Sequence, residues 1–167
     1  MEKGTISVIS GNGRGKTSLA IGESLKASLQ KKSVIIIQFL KGSERNELEF
    51  LEQLDQLDIK LFRFEKQAAG YEMLTDEEKH EERTNILNGV NFARKVIVTR
   101  ECDFLVLDEI LGLIEMDIVT QEAVTELLQA KDESMTILLT GRRVPEWLIP
   151  LTDSVTTLTT TDIDAYR

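Results

Sequence analysis

An α/β domain with a mostly parallel sheet and helices on both faces is the fold class this sequence predicts, and three observations predict it. Short β-branched runs alternate with longer helical stretches, the signature of strands joined by crossover helices. Runs such as VIII and FLVLD are apolar without interruption, as strands covered on both faces are. The 167 residues match one ordinary domain and leave little room for a second core, so a single domain over 1–167 is expected.

The elements follow in order. A strand over 5–10 runs into the glycine-rich turn SGNGRGKTS, from which a helix over 16–29 departs. A strand over 33–39, a helix over 44–54 and a strand over 59–64 come next. The acidic stretch LTDEEKHEER opens a long helix over 77–101, because Thr75 followed by Glu78 reads as a capping box. Within that helix Ile86, Val90, Ala93 and Ile97 recur at helical spacing, while Arg83, Arg94 and Lys95 fall on other faces, so the stripe is core. A strand over 104–108, a helix over 121–130 and a strand over 136–140 complete the alternation. The two prolines, Pro145 and Pro150, precede a sixth strand over 154–159.

Composition narrows the function. A formal charge of −9 disfavours general binding to nucleic acid, which depends on basic patches that release counterions from phosphate. The apolar run over 6–9 is too short for a signal-peptide core, and no stretch has the length of a membrane span, so a cytoplasmic protein is expected. One cysteine, Cys102, and one histidine, His80, exclude an internal disulfide and the usual structural zinc site. A bound metal is then a hard cation on oxygen ligands.

Chemistry concentrates in three places. Strand, glycine turn and helix occur in that order around SGNGRGKTS, the context that makes a P-loop credible. Glycines let successive N–H groups converge on phosphate oxygens, the helix adds its positive end, Lys16 supplies a movable charge, and Thr17 offers a hydroxyl to magnesium. Gly11, Asn12, Gly13, Arg14, Gly15, Lys16, Thr17 and Ser18 are therefore the nucleotide-binding candidates, although Ser10 stands where the pattern has its first glycine. FLVLDEI is a buried strand ending in two carboxylates, which makes Asp108 and Glu109 the metal-side candidates. LLTGRR carries Arg142 and Arg143 past the end of another strand, on the edge where open α/β sheets bind ligands.

SGNGRGKTS, VIIIQFLKG, FLVLDEI and LLTGRRVPEWLIPLTDSVTTL together resemble the ATP-dependent corrinoid adenosyltransferases, including the hydroxyl residue in place of the first glycine. The likeness covers roughly the first 158 residues, in order and spacing. It implies a RecA-like P-loop fold, usually homodimeric, in which a cobalt(I) corrinoid attacks the ribose C5′ of ATP and triphosphate leaves. It implies Lys16, Thr17 and Glu109 as catalytic residues, magnesium on Thr17 with Asp108 or Glu109, and an ATP contact from Glu47 in NELEFLEQL; Arg142 is the further ATP-binding candidate, its position past the strand end also suiting a carboxylate or a partner subunit. A flavodoxin or ferredoxin-like reductant is implied as partner.

Two stretches differ from the family pattern. Where many members read G-F-T-W, this chain reads AAGYEM, so Tyr71 keeps one ring and Met73 replaces the tryptophan; these are the corrinoid candidates. The chain also ends TTTDIDAYR rather than in the family's Lys-His and G-I-E-Y-like motifs. Two other readings share the same phosphate cradle: a phosphoryl-transferring P-loop ATPase or kinase, and a non-catalytic nucleotide- or corrinoid-binding homologue.

Overall fold

A computed structural model describes residues 2–40, 56–64 and 70–167. Six short strands, β1 (Ile6–Ser10), β2 (Val34–Gln38), β3 (Ile59–Arg63), β4 (Phe104–Asp108), β5 (Thr136–Thr140) and β6 (Ser154–Thr157), form one sheet in the order β3-β2-β4-β5-β1-β6. All five pairings are parallel. Parallel neighbours need crossovers, and helices α1 (Lys16–Leu29), α2 (Asp76–Thr99), α3 (Ile110–Glu115) and α4 (Gln121–Gln129) lie along those connections.

Alternation along each strand divides the core in two. Ile9, Val34, Ile36, Val106 and Leu138 pack on one face with Ala20 and Ala27 of α1. The buried side of α1 is made of Ala20, Ser24, Ala27 and Ser28, small side chains that let the helix lie close to the sheet. Val8, Ile35, Ile37, Leu105, Leu107, Ile137 and Leu139 form the other face, covered by α2, α3 and α4. Ile86, Val90, Ala93 and Ile97 supply the α2 stripe as expected, all buried.

The capping box that opens α2 is present in both halves. The Glu78 N–H donates to Thr75 Oγ1 at 3.2 Å, and the Thr75 N–H donates to Glu78 Oε2 at 2.8 Å. Strand and helix bounds agree with the sequence-based ones to within one or two residues, and β6 stops at Thr157 rather than at 159. One helix, α3, has no counterpart in the sequence reading. Its six residues follow a strand directly and bury Ile110, Leu111 and Leu113, so no polar face supplies a helical period. The helix expected over 44–54 lies outside the described residues. Among the described residues no helix is long and apolar enough to cross a membrane.

Candidate active site

Residues 11–15 turn the chain from β1 into α1 at the carboxyl edge of the sheet. Gly11 (φ 118°) and Gly15 (φ 99°) take left-handed backbone conformations that other residues enter only with strain. The Gly11 N–H donates to the Arg142 carbonyl at 3.0 Å, the Gly13 N–H to the Leu158 carbonyl at 3.0 Å, and the Arg14 N–H to Thr160 Oγ1 at 2.7 Å. A Cβ at position 11 or 13 would run into the Leu158 backbone, so these glycines also admit the segment after β6 that straps the loop. Sequence reasoning assigned them to phosphate alone; the lacing by residues 158–160 is long-range and had no local signal.

Ser10, in the first-glycine position, needs no such conformation because it still belongs to β1. Its side chain is buried, with Oγ 3.4 Å from Thr157 Oγ1 on β6. Helix α1 follows Gly15 at its N-cap without a side-chain cap and without an acid in its first turn. That leaves its positive end directed at the loop, as an anion site requires. The Lys16 ammonium lies across the same loop, donating to the carbonyls of Gly11 (2.8 Å) and Gly13 (3.1 Å).

Facing this loop is a polar row at the strand ends. Arg63, Gln38, Asp108 and Thr140 are the last residues of β3, β2, β4 and β5, and Gln38 is in register with both Arg63 and Asp108. They follow Leu61, Ile36, Val106 and Leu138 by two residues, which puts the row on the α1 face. Asp108, only 1% exposed, accepts from Thr140 Oγ1 on Oδ1 (2.7 Å) and from Gln38 Nε2 on Oδ2 (3.0 Å). The Thr17 hydroxyl donates towards both carboxylate oxygens, 3.3 Å from each. A buried carboxylate needs such partners, since desolvating an unpaired charge is prohibitive.

Asp108, the first of the two acids in FLVLDEI, is thus hydrogen-bonded to Thr17. Glu109 caps α3 in a left-handed conformation (φ 66°), with its N–H donating to Thr140 Oγ1 at 2.8 Å and its carboxylate beside Gly112. Among the described residues no three His, Cys, Asp or Glu side chains gather as a metal cluster. A cation would instead find one hydroxyl, a buried carboxylate and phosphate oxygens, a hard donor set that suits magnesium.

The remaining expected residues are dispersed. Asn12, Arg14 and Ser18 are exposed around the loop, and Arg142 and Arg143 are exposed beyond β5, Arg142 touching the loop through its carbonyl. Tyr71 packs against the main core beneath the Lys79 ammonium, 5.8 Å from the ring centroid, whereas Met73 in the same turn is 83% exposed. Glu47 lies outside the described residues. Gln38, Thr140 and Arg63 were not singled out in the sequence. Their signal is visible in VIIIQ, TILLT and IKLFR, where the final residue of a strand turns polar.

A family model described as ATP:corrinoid adenosyltransferase BtuR/CobO/CobP matches residues 2–163. The chain belongs to this family. It is similar to the corrinoid adenosyltransferase of Escherichia coli (strain K12), 28% identical over 158 residues that span 94% of this chain and 77% of that protein. It is equally similar to the corrinoid adenosyltransferase CobA of Salmonella typhimurium, 29% identical with the same coverage. Among solved structures, a KaiC-like protein, PH0186, from Pyrococcus horikoshii OT3 matches with a TM-score of 0.60 at 17% identity, covering 95% of this chain and 72% of that one. At that identity the likeness concerns the fold, and it agrees with a RecA-like arrangement of sheet and helices. The family's activity is adenosylation of corrinoids with ATP.

Proposed function

We propose that the chain transfers the 5′-deoxyadenosyl group of ATP to the cobalt(I) of a corrinoid, either cob(I)alamin or cob(I)yrinic acid a,c-diamide, and releases triphosphate. The observation that carries the reading is the junction of loop and strand: Lys16 lies across the P-loop, and Thr17 reaches the buried Asp108 at 3.3 Å. In the reaction the corrinoid supplies the electron pair that forms the cobalt–carbon bond. The C5′–O bond breaks, and its electrons leave with the triphosphate. No proton moves, so no general base is required of the protein.

What remains for the protein is electrostatics and orientation. The N-terminus of α1, Lys16 and Arg14 surround the phosphates, so they stabilise the charge that the leaving triphosphate gathers. Thr17 and Asp108 would hold magnesium, with Glu109 beside them; when bound, the cation neutralises phosphate charge. Gly11 to Ser18 and Arg142 form the nucleotide side, together with Glu47. Tyr71 and exposed Met73 lie on the corrinoid side in this reading. A single catalytic unit, a homodimer, a flavodoxin or ferredoxin-like donor and a cytoplasmic location complete it, and these rest on the sequence-based expectations.

The identity of the phosphorus product tests the reading. Phosphorus NMR of an anaerobic reaction with reduced cobalamin should give triphosphate in step with corrinoid consumed. Orthophosphate and ADP instead would make the chain a phosphoryl-transferring ATPase.

A further inference from the structure

We propose that Gln38 and Thr140 are positioning residues that fix the plane of the Asp108 carboxylate against Thr17; the inference rests on Asp108 serving the magnesium side of the site. Each carboxylate oxygen receives its own donor from a neighbouring strand. Thr140 Oγ1 holds Oδ1 at 2.7 Å and Gln38 Nε2 holds Oδ2 at 3.0 Å. With one donor from β5 and one from β2, rotation of the carboxylate breaks one bond or the other. The result is visible in the position of Thr17, whose hydroxyl stands 3.3 Å from both oxygens and therefore astride the carboxylate.

Both holders are themselves held. The Arg63 Nε–H donates to Gln38 Oε1 at 3.2 Å, and because a guanidinium only donates, the amide must turn its NH2 towards Asp108. Thr140, fully buried, donates its one proton to Asp108 while its oxygen accepts the Glu109 N–H at 2.8 Å. One hydroxyl thus ties the last residue of β4 to the first residue beyond it. Neither Gln38 nor Thr140 needs to touch nucleotide; they act through Asp108.

The test compares ATP affinity with magnesium and in EDTA, by calorimetry on the full chain, with thermal melts alongside. Asp108→Asn is the reference and should abolish the gain in affinity that magnesium gives. Thr140→Val and Gln38→Leu should each reduce that gain about tenfold, the effect of one lost charge-assisted hydrogen bond, while affinity in EDTA stays unchanged. Thr140→Ser should restore it. If both variants melt earlier yet keep the full gain, they serve stability alone and the proposal is overturned, while the loss in Asp108→Asn leaves the metal assignment standing. A full gain in Asp108→Asn overturns both. Should Gln38→Leu fail to fold, the contrast between Thr140→Val and Thr140→Ser decides.

Discussion

A lysine ammonium that bridges two carbonyls of its own loop, as Lys16 does with Gly11 and Gly13, has both the reach and the charge to follow a phosphate. Lys16→Ala should lower ATP affinity by about ten- to a hundredfold, the range expected for losing hydrogen bonds to a charged group, in a direct binding measurement. Unaltered affinity would remove the loop from the nucleotide site. Cys102 behaves oppositely: it is buried beside β2 and β4, and that burial pushes its thiol from an ordinary 9.0 up to about 12. The folded chain keeps the thiol protonated where the unfolded chain would ionise it. Its contribution to stability is therefore complete below about pH 9 and is lost as pH rises from there towards 12. At pH 8 iodoacetamide should label Cys102 in urea and leave the native protein unmodified; rapid native labelling would show that the thiol is accessible.

At the scale of elements, α2 shows how local signals become packing. Thr75→Ala removes the hydroxyl that caps the Glu78 N–H and should cost about 1 kcal/mol in urea unfolding, with the fold retained. No loss would mean that the packing of Ile86, Val90, Ala93 and Ile97 alone holds the helix start. The cap and the stripe were legible because both repeat within a few residues. The uninterrupted runs of β2, β4 and β5 were legible for the same reason, since burial on both faces leaves no polar position in the strand body. Helix α3 was not, because a short helix buried among Ile110, Leu111 and Leu113 looks like an extension of the strand before it.

Across the whole molecule, the candidate site divides along the same line. The P-loop and the acidic strand end are local patterns, and both were readable. The hydrogen bond of Thr17 to Asp108, the holding of Asp108 by Gln38 and Thr140, and the strap of residues 158–160 over Gly11 and Gly13 depend on residues brought together by the order β3-β2-β4-β5-β1-β6. Parallel crossovers decide such meetings, and spacing in one strand carries no trace of the neighbour it will pair with. In the proposed function the corrinoid side depends on the turn holding Tyr71 and Met73, where the sequence differs from the family pattern it resembles. The central claim, transfer of carbon from ATP to cobalt, is tested most directly by mixing the protein anaerobically with chemically reduced cobalamin, ATP and magnesium while following the cobalt(I) spectrum. The expected result is loss of that spectrum and growth of a light-sensitive alkylcorrinoid, both abolished in Lys16→Ala; cobalt(I) that persists beside bound, intact ATP would contradict transfer.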